Sequence, residues 1–211
     1  MGNLHYKLRA PRSLSEQEVE LLLRTTGDHV AGLRDHVTYS LAVGTGLRVH
    51  ELVALDWPQL LTSRGHGMRE TIQIAVFKGC RRTGGTQDVR LPGDCRRKLY
   101  ALWVASGRPR SGPVFLSRHR DVHGPSTDGA RMRMSTRQMR RRFTEWQEAA
   151  GFERRYTFHA LRHTYCRRLM DATKDITIVR RAARHARIDT TAVYLEPSDE
   201  QITKAIRRLK A

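Results

Sequence analysis

Cysteine, long apolar runs and acidic residues are all scarce in this sequence of 211 residues. Its three cysteines, Cys80, Cys95 and Cys166, are odd in number, widely spaced and without a CxxC pair, which disfavours a disulfide framework or a zinc site. No apolar run approaches the roughly 20 residues that span a bilayer, and the N-terminus lacks the apolar stretch of a secretion signal. We therefore expect a cytoplasmic protein with reduced thiols and no membrane segment.

The shortage of acidic residues leaves the chain strongly basic. There are 39 Lys and Arg against 21 Asp and Glu, a formal net charge of +18 and a pI near 11.0. Such a field attracts polyanions, of which nucleic acid is the commonest. Most of the excess is arginine, whose guanidinium can grip a phosphate through two hydrogen bonds. Ribosomal or histone-like proteins carry similar charge, but they rarely show the apolar periodicity described next.

Apolar residues at helical spacing predict a mainly helical domain. Ser15 with Glu18 and Ser135 with Gln138 have the spacing of capping boxes, which mark helix starts. Glycines are expected to end another helix, which runs through residues 34–46 and stops at Gly44 and Gly46. Further helices are predicted from Arg48 and over residues 95–106, 135–150, 157–172, 176–186 and 198–209.

Two short segments change to a period of two, which is typical of strands. A polar, glycine-rich loop separates them, so we predict a β-hairpin with Lys78 where the first strand enters the loop. Residues 107–135 are rich in Gly, Pro, Ser and Arg and are predicted to form a long surface excursion. The fold class is therefore α+β, mainly helical with a small antiparallel hairpin. The alternating apolar residues are Ile72, Ile74 and Val76 in the first segment and Val89 and Leu91 in the second.

Several polar residues are candidates for a site, although each has an ordinary alternative. His159 and Arg162 are three residues apart and project from one side of a helix, away from the Phe158 and Leu161 stripe, but such a pair is also common on a solvated face. A zinc site at His159 and His163 lacks the intervening glutamate and a third ligand.

Arg48 follows "GTG" at a predicted helix start, where backbone N–H groups favour an anion. Glu51 is placed to brace it, although the two residues also fit an ordinary surface ion pair. Lys78 alone fits a solvated loop lysine, and Tyr194 alone fits a packed aromatic.

Taken in order, "GTGLRVHEL", "VFKG", "HALRH" and "RHARIDTTAVY" resemble the signature of the tyrosine recombinase, or phage integrase, family. That signature has an Arg in a TGLRxxEL box, a hairpin Lys, an HxLRH box, and a GHxxIxTTxxY box. The resemblance covers residues 13–197 and implies a tyrosine recombinase catalytic domain. It leaves residues 1–12 as a basic tail and residues 198–211 as a C-terminal helical tail, with no N-terminal core-binding domain.

The resemblance implies a function: a site-specific recombinase that integrates, excises or inverts DNA through a covalent 3′-phosphotyrosine, without metal, ATP or other cofactor. Two arginines clamp the scissile phosphate with a histidine as a further donor, a second histidine accepts the proton of the nucleophilic tyrosine, and the hairpin lysine protonates the leaving 5′-oxygen. One departure is Arg184, where the family usually has glycine. The matching positions are Arg48, Arg162 and His185 for the phosphate, His159 for the proton, Lys78 for the leaving group and Tyr194 for the nucleophile.

The expected partners are double-stranded DNA, further copies of the chain as a tetramer on DNA, and accessory DNA-bending proteins, which implies association with the nucleoid. Two other functions are alternatives: strand relaxation of the type IB topoisomerase kind, which shares the tyrosine chemistry but reseals the same strand, and DNA-binding regulation by a protein that keeps the fold without catalysis. Residues predicted to contact the DNA backbone, with a solvated basic surface as the alternative, are Arg81, Arg82, Arg140 and Arg141.

Overall fold

The computed structural model describes residues 12–27, 29, 32–63, 65–74, 85–120, 131–185 and 207. Two compact units are present, Ser13–Tyr165 and a second that joins Met1–Arg12 to Cys166–Ala211. No helix among the described residues is long and apolar enough to cross a membrane. The elements in chain order are α1 Glu16–Gly27, α2 Leu33–Thr45, α3 Val49–Val53, α4 Trp57–Leu60, β1 Thr71–Ile74, β2 Gln87–Arg90, α5 Gly93–Ala105, β3 Leu116–Arg120, β4 Arg131–Arg133, α6 Thr136–Ala149, α7 His159–Thr173 and α8 Ile176–Ala183.

Both predicted capping boxes are confirmed. At the start of α1, the Ser15 N–H donates to Glu18 Oε2 at 2.7 Å, and the Glu18 N–H donates to Ser15 Oγ at 3.2 Å. At the start of α6, the same reciprocal pair joins Ser135 and Gln138 at 2.8 and 3.1 Å. These contacts satisfy backbone N–H groups that a helix leaves without an internal partner, so local sequence fixes where both helices begin.

The end of α2 corrects one prediction. The helix continues through Gly44 to Thr45 and ends at Gly46, whose φ of +64° is the left-handed conformation that glycine tolerates best. A Cβ atom on Gly44 would lie 2.6 Å from the Sγ of Cys95 in α5. Gly44 therefore permits close packing of α2 against α5, and only Gly46 stops the helix.

The predicted hairpin is confirmed in the residues that the structure describes. Strands β1 and β2 are antiparallel, with Ile72 opposite Val89. Ile72, Ile74 and Val89 are buried, as is Leu91 directly after β2. Val76 and Lys78 lie outside the described residues.

The segment 107–135 is not wholly a surface excursion, so that prediction is wrong. Strands β3 and β4 form a second antiparallel two-stranded sheet. Val114 and Phe115 are buried just before β3, and Met134 is buried just after β4. Since the apolar residues flank the strands instead of alternating within them, the period of two that identifies a strand is missing here.

Aromatic side chains join three helices in the core of the unit Ser13–Tyr165. The ring of Tyr39 in α2 lies 5.4 Å from that of Phe143 in α6, and the Phe143 ring lies 5.5 Å from that of Phe158 at the start of α7. Met139, Phe143 and Trp146, which recur at helical intervals in α6, are buried, while Ala150 is half-buried. This packing fixes the start of α7 against α6.

Helical spacing in residues 157–172 predicts a buried apolar stripe of Phe158, Leu161, Tyr165, Leu169 and Ala172, and the structure confirms only its beginning. Phe158, directly before α7, and Leu161 are buried, Tyr165 and Leu169 are half-buried, and Ala172 is exposed. The buried positions of α7 therefore lie mainly in its first two turns.

A buried carboxylate ties α2 to α6. Asp35, 2% exposed, accepts hydrogen bonds from Arg34 Nε at 2.9 Å, from Arg142 Nε at 3.0 Å and from the indole N–H of Trp146 at 2.8 Å. Arg34 also donates to the carbonyl of Leu116 in β3 at 2.8 Å. Buried charges need paired and hydrogen-bonded partners, and the residues of this Asp35 cluster supply them to one another.

Candidate active site

A cavity of about 550 Å³ opens in the unit Ser13–Tyr165. It is formed by α3 with the residues just before it, by α6, and by the segment that leads into α7. None of the described residues that line it is acidic, so its electrostatic character is set by cations and histidines. Its basic and hydroxyl-bearing residues include Arg48, His50, Arg140, Thr144, His159 and Arg162.

Arg48 enters this cavity from the N-terminal cap of α3 and is braced from behind by Glu51. Its Nη1 donates to Glu51 Oε1 at 3.0 Å, and its backbone N–H donates to Glu51 Oε2 at 2.8 Å. Glu51 is fully buried, so the pair is not the surface ion pair that the sequence also allowed. The backbone N–H of Arg48, which the sequence suggested for binding an anion, instead donates to the Glu51 carboxylate. The contact leaves the guanidinium facing the cavity in a fixed orientation.

Arg162 is held against the loop that precedes Arg48. Its side chain is buried, 2% exposed, and its Nη1 donates to the carbonyl of Gly46. The solvated-face alternative is therefore wrong for Arg162. This hydrogen bond joins α7 to the end of α2, two residues before Arg48, and places both guanidiniums on the same cavity.

His159 lies one turn before Arg162 and lines the same cavity. Partial burial, followed by the nearby charges of Arg162 and Arg48, lowers the pKa of His159 below its ordinary value. The ring of His163 contacts that of His159 edge to face, with the centroids 4.6 Å apart. Burial, then His159 and Arg162, lowers the pKa of His163 to about 4. His159 is therefore neutral at pH 7 and able to accept a proton.

Two cavity residues have no clear signal in the sequence. His50 is half-buried on α3, and Thr144 is half-buried on α6. Burial, then the charges of Arg48, Arg140 and Arg162, lowers the pKa of His50, against an opposing effect of Glu51. His50 occupies a variable position of the TGLRxxEL box and Thr144 lies outside the signature segments, and the packing of α3 on α6 brings the two together.

The two arginines of α6 that were predicted to contact DNA have different surroundings. Arg140 is exposed and lines the cavity. Arg141 is exposed and forms an ion pair with Glu145 at 3.3 Å. Arg140 is therefore the better placed of the two to act beside Arg48 and Arg162.

The remaining predicted site residues lie in the second unit or outside the described residues. His185 is half-buried in the second unit, directly after α8, and its N–H donates to the carbonyl of Arg180 at 3.0 Å. Arg184, the cap of α8, has a φ of +56°. No group of three or more His, Cys, Asp or Glu that suits a metal occurs in the described ranges. Lying outside the described residues are Lys78, Arg81, Arg82 and Tyr194.

The sequence model of the phage integrase family matches residues 12–201 of this chain. The chain belongs to the phage integrase family. Among curated relatives, tyrosine recombinase XerC of Natranaerobius thermophilus is 26% identical over 205 residues, and XerC of Pelotomaculum thermopropionicum is 28% identical over 204 residues. Both alignments cover 95% of this chain but only 63% and 62% of the relatives. The chain thus spans less than two thirds of the length of these relatives.

Solved structures of recombinases share the fold of this phage integrase family member. The crystal structure of XerA recombinase matches with a TM-score of 0.72 at 21% identity, covering 97% of this chain and 66% of that one. XerH recombinase in a pre-cleavage complex with its difH substrate matches with a TM-score of 0.63 at 18% identity, covering 96% and 55%. The Tn1549 transposon integrase with circular intermediate DNA gives 0.68 at 16% identity, covering 98% and 68%. The predicted α+β tyrosine recombinase fold is confirmed.

Proposed function

We propose that this chain is a site-specific DNA recombinase that cleaves and rejoins strands through a 3′-phosphotyrosine at Tyr194. The observation that carries the proposal is the cavity at which Arg48, His159 and Arg162 meet, although they come from signature segments more than 100 residues apart. The family model extends over Lys78 and Tyr194 as well, which supports the assignment of the remaining signature positions.

The two arginines supply the charge that the reaction requires. A phosphodiester repels a nucleophile through its own negative charge, and cations fixed at its non-bridging oxygens offset this repulsion. Arg48 and Arg162 are permanently charged and forked, and each is held by a contact behind it, with Glu51 and with the Gly46 carbonyl. Preorganised donors of this kind stabilise the transition state without a metal ion.

The proton transfers follow from the same assignment. The oxygen of Tyr194 forms a bond to phosphorus while the bond from phosphorus to the 5′-oxygen breaks. Neutral His159 accepts the tyrosine proton, directly or through water, and Lys78 donates a proton to the departing 5′-oxygen. His185 acts as a further donor to the phosphate. Attack by a 5′-hydroxyl reverses the step and rejoins a strand without ATP.

Double-stranded DNA is the proposed substrate. The chain carries a net charge of +18, the Tn1549 integrase is named as a complex with a circular intermediate DNA, and XerH is named as bound to its difH substrate. Relatives named as tyrosine recombinases favour strand exchange over relaxation or regulation without catalysis. We also propose that copies of the chain assemble on DNA as a tetramer, with accessory DNA-bending proteins as further partners and the nucleoid as the location.

A nicked suicide duplex tests the chemistry, because loss of the short cleaved fragment traps the covalent adduct. The wild-type chain should give a protein–DNA band that survives denaturation, and Tyr194→Phe should give none while binding DNA normally. Tyr100→Phe is the matched control, since Tyr100 is an exposed tyrosine on α5 and should leave the band unchanged. An undiminished band in Tyr194→Phe would refute the assignment of the nucleophile.

A further inference from the structure

His50 is one of the cavity residues that the proposed reaction does not use. It projects from α3, which packs against α6, and lines the same cavity as Arg140 and Thr144 of α6. The catalytic scheme assigns Arg48, His159 and Arg162 to the scissile phosphate and the tyrosine proton. His50, Arg140 and Thr144 remain without a role there.

These three residues have donors available for an anion. Arg140 is exposed, and none of the described carboxylates pairs with it. The Thr144 hydroxyl donates a long hydrogen bond of 3.4 Å to the backbone carbonyl of Arg140, which it can exchange for a better acceptor. His50 is half-buried with one imidazole N–H to donate even in its neutral form.

The size of the cavity leaves room for a second phosphate. About 550 Å³ lies within the range of pockets that enclose whole small molecules, so a single phosphate held by Arg48 and Arg162 does not fill it. A DNA strand carries phosphates in a regular series, so a strand whose scissile phosphate occupies this cavity also brings its neighbours close to it.

Resting on the proposed function, we propose that His50, Arg140 and Thr144 form a second phosphate subsite, which holds a DNA phosphate next to the one gripped by Arg48 and Arg162. The subsite uses backbone contacts, so it fixes the position of the strand without reading its sequence. A strand anchored at two consecutive phosphates cannot swing about the scissile one, which aligns that phosphorus for attack.

The charges around His50 give the subsite a dependence on pH. The groups that face His50 are Arg48 at the cap of α3, Glu51 of α3, Arg140 of α6 and Arg162 of α7, and His159 titrates in the same cavity. Without DNA, burial and the three guanidiniums keep the pKa of His50 below 6.5, so it is neutral. A bound phosphate offsets those cations and raises this pKa. Binding therefore takes up a proton, and affinity increases as pH falls between the bound and free pKa values.

The test measures equilibrium binding in the Tyr194→Phe background, where no cleavage interferes. Duplexes carry one uncharged methylphosphonate in place of one phosphate, at each of the positions on either side of the cleavage site. His50→Gln should weaken binding to the natural duplex roughly ten-fold, as loss of a charged hydrogen bond does. It should have almost no effect on the duplex that lacks the charge of the contacted phosphate.

Two further variants keep the test independent of folding. Arg140→Gln changes an exposed residue. It should weaken binding to the natural duplex but hardly affect binding to the same methylphosphonate duplex, and it should reduce the slope of log affinity against log salt by about 0.9. The matched control is His66→Gln, an exposed histidine outside the cavity, which should bind every duplex like its parent.

The outcomes separate this subsite from the recombinase proposal. The subsite is wrong if His50→Gln and Arg140→Gln weaken binding equally on every methylphosphonate duplex, or if they do not weaken binding to the natural duplex at all. This conclusion holds whatever the adduct assay gives. If the wild-type chain forms no Tyr194 adduct, the recombinase proposal fails, and the binding measurements still decide whether His50 contacts a phosphate. Below about pH 7, affinity should also depend less on pH in His50→Gln than in its parent, and an unchanged dependence would contradict proton uptake by His50.

Discussion

Arginines occur in two contrasting settings within the unit Ser13–Tyr165. In the Asp35 cluster, Arg34 and Arg142 donate to one buried carboxylate at 2.8 to 3.0 Å. In the cavity, Arg48, Arg140 and Arg162 share a space whose described lining has no carboxylate. In the first setting two guanidiniums share one buried carboxylate, whereas in the second Glu51 contacts Arg48 from behind and the described lining of the cavity offers no carboxylate to an incoming anion.

The contacts behind each guanidinium explain the difference. Glu51 braces Arg48 from the protein side, and the Gly46 carbonyl, which carries no net charge, holds Arg162. These contacts fix orientation without neutralising the whole cavity, which is what a preorganised anion site needs. The position of the carboxylates, more than the number of arginines, therefore distinguishes structural arginines from those placed to bind an anion.

Asp35→Asn should give the largest loss of stability, because it leaves Arg34 and Arg142 without their shared anion. Removing one partner of a buried ion pair costs about 3 to 5 kcal/mol, and the partial exposure of both arginines places this change near the lower value, about 3 kcal/mol. Urea unfolding measures the change. Asp94→Asn is the matched control, since Asp94 is 56% exposed in its pairs with Arg97 and Lys98 and should cost under about 1 kcal/mol. Equal losses would erase the distinction between the two settings.

Arg162→Lys should have the largest effect on the proposed reaction. Lysine keeps the charge but lacks the forked donors that contact the Gly46 carbonyl and a phosphate together. Loss of a preorganised donor slows such reactions by about 10² to 10³-fold, or 2.7 to 4 kcal/mol. Single-turnover adduct formation on a nicked duplex measures the rate, with Arg155→Lys, an exposed arginine paired with Glu148, as the control. A rate within a few-fold of the wild type would remove Arg162 from the phosphate clamp.

The histidines near the cavity should make stability depend on pH. Because the pKa of His163 is about 4 in the folded chain and 6.5 in the unfolded chain, the unfolded state binds more protons between these values. Stability should therefore fall as pH drops from 6.5 towards 4, by about 1 to 2 kcal/mol in all, since His163 is only partly buried. Urea unfolding at several pH values measures the slope. His163→Phe should flatten it relative to the wild type, whereas an unchanged slope would place its origin in other groups.

Local signals predicted much of the fold. The capping boxes at Ser15 and Ser135 and the stop at Gly46 depend on residues within a few positions of one another, and the structure confirms each. Strands β3 and β4 escaped prediction because their sequences, "LSRHR" and "RMR", lack apolar alternation. What places them is the burial of flanking residues such as Phe115, which depends on the rest of the domain.

The site, too, was predicted only where the sequence carries a recognisable local pattern. The family signature identified Arg48, His159 and Arg162, and they line one cavity. The Asp35 cluster was not predicted, because its contacts to Arg142 and Trp146 join residues 107 and 111 positions apart. His50 was missed as well, since its place depends on the packing of α3 against α6 and not on any spacing in the sequence.

Arg184 allows the smallest and most local of these tests, on an arginine outside both settings. It caps α8 with φ +56° and ψ +45°, in the left-handed region where a Cβ atom is unfavourable, and the family's usual glycine has no Cβ. Within helices glycine is less stable than alanine by roughly 0.5 to 1 kcal/mol. At this position the order should reverse: Arg184→Gly should be more stable than Arg184→Ala by about 1 kcal/mol in urea unfolding. Because both variants remove the same side chain, the difference between their free energies of unfolding measures the backbone effect alone. The loss that both share relative to the wild type measures what the half-buried guanidinium contributes.

If alanine proved as stable as glycine, the conformation of this cap would not explain why the family prefers glycine here. If both variants also lost DNA affinity, the Arg184 side chain would contribute to DNA binding as well.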